Sequence, residues 1–164
     1  MNFSDNIWLV VFCFAVGCRM TFVRFKEFKT ITKTIQEATD GKKFEKYDYS
    51  KWVRILYIVF LLFGVASLVY GLLEKDYETV SMGVVLTLMF IGELLIVGPR
   101  YTLYYSDTHF ITGGKLARYK SIRDFEEMKY FKLAFVRAVT FNGEKLPMSR
   151  KAYEIVKEQM KKKK

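Results

Sequence analysis

The sequence predicts an α+β membrane protein: three transmembrane helices followed by a small antiparallel β domain that closes with one helix. Three observations carry this reading. Apolar residues make up 51% of the 164-residue chain, yet its formal net charge is +10. Those apolar residues are bunched into long runs, where a soluble domain would spread them at period 2 or 3.6. Lys and Arg are shared unevenly among the segments between the runs.

The first run covers about residues 7–23 and is broken by Arg19, leaving 12 uncharged residues from Ile7 to Cys18. That length also suits a buried soluble helix, and the neighbouring runs favour a span. The second run covers 52–73, of which Ile55–Leu73 holds 19 residues without a charge. About 20 are needed to cross a bilayer as a helix. The third covers 79–98, interrupted only by Glu93, and Pro99 is expected to end it.

Charge then sets direction. The segment from Arg24 to Lys51 holds eight Lys or Arg, the link "EKDYE" holds one, and the chain from Pro99 onward holds sixteen. Basic loops stay on the cytoplasmic side. The expected arrangement is a multi-pass cell-membrane protein with its N-terminus outside and residues 24–51 inside. Residues 74–78 then face outside, and a domain over 99–164 is cytoplasmic.

This topology places three intramembrane charges in one layer. Arg19 lies about 6 Å and Glu93 about 7 Å from the cytoplasmic ends of their spans, and Arg54 enters the second span at the same edge. An isolated charge in a span costs about 2.5–3.5 kcal/mol, so Arg19, Arg54 and Glu93 are candidates for an ion pair. The competing readings are side chains snorkelling to the head groups and a proton or ion pathway. Cys13 and Cys18 fit no metal or redox spacing and read as buried packing residues. A lipid-anchor box at "AVGC" is disfavoured, because "MNFSDN" lacks a positive leader. Ser67 and Gly71, with Gly64, Ala66 and Gly83 nearby, permit close helix contact of the kind that supports dimerisation.

Beyond the first span the rhythm stays helical. Phe22, Phe25, Phe28, Ile31 and Ile35 recur every three or four residues, and the helix is expected to stop near Gly41. Lys26, Lys29 and Lys33 between them suggest contact with anionic head groups, at about 1 kcal/mol per basic residue. Packing of the apolar stripe on the chain's own C-terminal domain is the slightly favoured alternative. Lys161, Lys162, Lys163 and Lys164 form a second candidate for lipid contact, or a disordered end.

The tail is strand-like. "YTLYY" and "THFIT" are aromatic and β-branched, "GG" at 113–114 supplies a two-residue turn, and "KLARY" returns. "FKLAFV", residues 131–136, alternates strictly, and "NG" at 142–143 joins "AVTF" to "EKLPM". In "RDFEE", Asp124 and Glu126 share a face with nothing basic assigned to them, which reads as a solvated edge. Ser149 is a plausible N-cap for a helix whose Ala152, Ile155, Val156 and Met160 would cover the sheet.

Five to seven short strands with a closing helix, placed after apolar spans, resemble the bacterial pleckstrin-homology-like (PH-like) domains of small membrane proteins, the YcxB-like kind. The matching pieces are "YTLYYSDTHFITGGKLARYKSIRDF", leading to Ile122, and "EKLPMS" before the last helix. Tyr119 stands where that family often has tryptophan. The resemblance implies a partly open barrel that binds partners or forms oligomers, and it brings no catalytic residues.

Chemistry is sparse. His109 is the single histidine, without an acidic or cysteine cluster beside it in sequence, and reads as structural. "TGGK" lacks the spacing of a phosphate loop, and no zinc spacing exists. No metal, cofactor or enzymatic activity is expected. The basic tail invites a nucleic-acid reading, but its aromatics alternate as a core-facing set and the positive-inside bias explains the same charges. The expected partners are the lipid bilayer, anionic lipids, and a protein partner or second copy. The preferred function is recruitment or regulation of a protein at the inner leaflet, and the alternative is immunity against a membrane-active peptide or toxin.

Overall fold

The computed structural model describes residues 3–41, 43–128 and 135–162. Among the described residues the α-helices are α1 (Phe3–Thr39), α2 (Lys51–Glu74), α3 (Tyr77–Arg100) and α4 (Arg150–Lys161). Between them lie the strands β1 (Glu45–Asp48), β2 (Thr102–Tyr105), β3 (His109–Thr112), β4 (Lys115–Arg118), β5 (Ile122–Glu127), β6 (Phe135–Thr140) and β7 (Lys145–Ser149). The chain divides into two compact units. One runs to Phe28 and resumes over Lys51–Val97; the other holds Lys29–Ser50 and the chain from Gly98 onward.

In the helical unit, α1, α2 and α3 are each long and apolar enough to cross a membrane. The 37 residues of α1 form one continuous helix, about 55 Å at 1.5 Å per residue, against a hydrocarbon core of about 30 Å. It stops as expected before Gly41, whose φ of +66° suits glycine. Between α2 and α3 the Asp76 carboxylate caps α3, accepting from the Glu78 N–H at 3.1 Å and the Thr79 hydroxyl at 2.5 Å. The Thr79 hydrogen bond holds that carboxyl below its ordinary range.

Small residues let α2 and α3 touch backbone to backbone. A Cβ at Gly83 would lie 2.5 Å from the Leu68 nitrogen, one at Gly71 2.7 Å from that of Val80, and one at Gly64 2.9 Å from that of Thr87. These glycines, read from sequence as a hint of dimerisation, are spent on contact within the chain. Pro99 falls inside the last turn of α3, which reaches Arg100 and not Gly98. A proline so near the end forfeits little of the helix ladder, and the Thr102 hydroxyl donates to the half-buried Gly98 carbonyl at 2.7 Å.

The sheet unit contains a four-stranded antiparallel sheet, β1-β2-β3-β4, a three-stranded one, β5-β6-β7, and α4. Period-2 alternation buries Leu103, Phe110, Ala138, Leu146 and Met148, and helical spacing brings Ala152 and Val156 to the same core. Ser149 caps α4, its hydroxyl accepting from the Ala152 N–H at 3.2 Å. Gly113 and Gly114, at φ +58° and +75°, form the expected turn between β3 and β4. The Gly114 backbone lies against Ile31, which is buried, so the apolar stripe of α1 packs on the chain itself at that point.

Two expectations need revision. Residues 45–48, read as part of a basic helix or loop within a membrane block of 1–98, form a strand that pairs with β2, Glu45 opposite Tyr105 and Asp48 opposite Thr102. The expected hairpin at "NG" is present, joining β6, which runs unbroken over Phe135–Thr140, to β7; residues 131–134 of "FKLAFV" lie outside the described residues. Glu126 on the exposed edge strand β5 does have a cation, Lys145 at 3.1 Å, supplied by a strand that sequence proximity could not indicate.

Candidate functional site

The polar centre of the helical unit is built on one face of α1. Gly17, Thr21 and Arg24 follow at intervals of four and three residues, the spacing that aligns side chains on a helix. A Cβ at Gly17 would lie 2.7 Å from Leu88 Cδ1, so α1 and α3 approach closely there. One turn on, the Thr21 hydroxyl donates to the Leu88 carbonyl at 2.6 Å and to Gly17 O at 3.0 Å. Gly92 then leaves room for the Arg24 stem, since a Cβ on it would meet Arg24 Cβ and Cγ at 3.3 Å. The stem crosses this gap and the guanidinium reaches Glu93 Oε1 at 2.6 Å. Its other nitrogen bonds Glu27 Oε2 at 2.8 Å, so one arginine bridges two carboxylates.

Helix face, which depth does not register, gives Glu93 an ion pair with Arg24. Arg19 lies on an exposed side of α1, outside the Arg24–Glu93 contact. It is two residues before Thr21, about 200° around the helix, and so points away from α3. Arg24, read from sequence as the first residue of the basic segment, is on the α3-facing stripe instead. Gly17, Thr21 and Gly92 were the signal that would have found it. Arg54 occupies an exposed position in the first turn of α2. Cys18, expected to be buried, is exposed on α1 and lines an apolar groove with Phe22, Phe25, Leu88 and Leu95, while Cys13 is half-buried.

The candidate lipid contacts are exposed where the structure describes them. Lys26 sits 4.8 Å above the Phe22 ring, Lys29 is exposed, and Lys33 pairs with Glu37 at 3.6 Å on the surface. Lys161 and Lys162 are exposed at the end of α4; Lys163 and Lys164 lie outside the described residues.

On the sheet unit, His109 shares a cavity of about 240 Å³ with Thr108, Arg118, Tyr119 and Lys120. Thr108 Oγ1 is 2.7 Å from His109 Nδ1. Tyr119 is buried, stacks on Phe110 at 5.5 Å and donates to the Ser106 carbonyl at 2.9 Å. Burial pushes its phenol well above the ordinary tyrosine range. Elsewhere Tyr49, between β1 and α2, bonds across the unit: its hydroxyl is 3.3 Å from Thr112 Oγ1, which donates to Pro147 O at 3.1 Å. Among the described residues no group of three or more His, Cys, Asp or Glu converges in a way that would hold a metal ion.

No family model, curated protein or solved structure matches the chain.

Proposed function

We propose that this chain is a multi-pass membrane protein whose PH-like sheet unit lies in the cytoplasm and recruits or regulates a protein partner at the inner leaflet. The observation that carries the reading is the pairing of β1 with β2. β1 lies between the first and second apolar helices and β2 follows the third. Neighbouring strands in one sheet must be on the same side of a bilayer, which is the side a three-span path gives to both segments. Both are also the basic segments, eight and sixteen Lys or Arg against one in the α2–α3 link, so the positive-inside bias favours the cytoplasm for the whole unit.

Two sheets of four and three antiparallel strands with a closing helix are consistent with the PH-like resemblance. Tyr119 and Ile122, the residues on which that resemblance turns, are both in the core. The Arg24 bridge fits a structural role better than a conducting one, because both carboxylates are satisfied by a group that stays protonated.

Photo-crosslinking from exposed positions on β4, β5 and α4 of the intact chain in its own membrane tests recruitment. The expected result is one discrete protein adduct, on one face of the sheet unit and resistant to dilution. Adducts to lipid or to the chain itself at every position would remove the recruitment reading.

A further inference from the structure

We propose that the outer edge of β4 binds an extended, acidic segment of a partner protein. That segment pairs with β4 as an added strand and seats a carboxylate in the cavity beside His109, Arg118 and Lys120. This rests on the recruitment reading and names the surface it would use.

β4 ends the four-stranded sheet, with β3 as its sheet neighbour. Thr112 and Lys115 flank the two-residue turn, and Phe110 then faces Ala117. Bonded and non-bonded pairs alternate along such a hairpin, and the Tyr119 N–H continues the bonded set by donating to Thr108 O at 3.4 Å. Leu116 and Arg118 therefore turn their N–H and C=O groups away from β3. Ser121 Oγ donates to the Arg118 carbonyl at 2.7 Å. The Leu116 N–H and C=O and the Arg118 N–H are left facing outward, a ladder for an incoming strand.

The other sheet edges are blunted in ways β4 is not. β7 carries Pro147, which has no N–H to offer. β1 and β5 present carboxylates at exposed positions, Glu45 and Asp48 on one, Asp124 and Glu126 on the other, which repel an acidic strand. On β4 the Lys115 ammonium is paired with Glu144 at 3.3 Å, and the next side chain, Leu116, is 48% exposed. An apolar contact is thus offered beside an open ladder. Arg118 and Lys120 are exposed at the far end of the strand with His109 beside them, so charge complementarity selects an acidic segment.

The test uses the full chain in nanodiscs of zwitterionic lipid and short fluorescent peptides read by anisotropy. One peptide alternates valine and glutamate, a second is the same with alternate amides N-methylated, and a third alternates valine and lysine. The first is expected to bind at least about tenfold more tightly than either control, because methylation removes the ladder and lysine reverses the charge. Arg118→Glu with Lys120→Glu should weaken it by a similar factor. Both side chains are exposed, and the methylated peptide leaves the protein untouched. Equal binding of the three peptides, no binding of the first, or indifference to the double variant overturns the proposal. So does a disulfide between two copies of a Leu116→Cys chain lacking Cys13 and Cys18, which would give the edge to self-association. If the peptides fail while the membrane adduct described above persists, recruitment stands and uses another surface.

Discussion

In the helical unit the large apolar side chains point out and the small residues point in. Leu62, Phe63 and Leu73 are exposed, while Gly64, Gly71, Gly83 and Ser81 are buried between helices. The sheet unit reverses the arrangement: Phe110, Leu103, Leu146 and Met148 are fully buried, and lysines and glutamates cover the outside. On the membrane reading proposed above, the same residue types are sorted by two different solvents. Lipid gives no reward for hiding leucine, so helix contact depends on backbone approach and a few polar bonds. Water does give it, so the sheet unit is held by apolar burial.

That contrast can be broken from either side. Removing bulk should hurt most in the sheet unit: Phe110→Ala should lower its stability by about 3–5 kcal/mol, read by thermal unfolding in detergent. A truncation of the same kind at Phe63, whose side chain is mostly exposed, should change much less. Adding bulk should hurt the helical unit instead. Gly83→Ala puts a methyl against the Leu68 backbone and should cost about 1–3 kcal/mol, seen as loss of the compact form on mild-detergent gels.

The Arg24 bridge sharpens the comparison at a polar site. Arg24→Met leaves Glu93, whose side chain is only 12% exposed, without this partner. A cost of about 1–2 kcal/mol is expected, less than for a fully buried pair because Arg24 is 35% exposed. Arg24→Met with Glu93→Gln should recover most of it, and Arg19→Leu should be neutral. A loss at Arg19 equal to that at Arg24 would mean depth, and not helix face, selects the pair.

The smallest effect expected is at Tyr49. Burial pushes its phenol up to about 12 from an ordinary value near 10. A raised value means that the neutral form is favoured in the fold. Its contribution is fully present below pH about 10 and is lost as pH rises through about 12. Tyr49→Phe should remove one late component from the phenolate absorbance titration and cost about 1 kcal/mol at neutral pH.

Sequence made the apolar helices and the glycine-turned hairpins legible because each rests on local chemistry. Nineteen uncharged residues have few other uses, and Gly113–Gly114 allow the positive φ a tight turn needs. β1 was not legible. "EKYD" is short, charged and without alternation, and it becomes a strand because Leu103 and Tyr104 supply a partner edge. Glu93 stood out as a carboxylate in an apolar run, but its partner depended on which side of α1 faces α3. That was written in Gly17, Thr21 and Gly92 as absences of bulk, which hydropathy does not register.

Shared sidedness of β1 and the C-terminal sheet is tested most directly by thiol labelling in intact cells. Three chains lacking Cys13 and Cys18 would each carry one new thiol: Lys46→Cys on β1, Lys151→Cys on α4, or Lys75→Cys between α2 and α3. A membrane-impermeant maleimide is expected to label the chain with Lys75→Cys at once and the other two only after permeabilisation. Labelling of Lys46→Cys and Lys151→Cys from opposite sides, or of both from outside, would contradict the account.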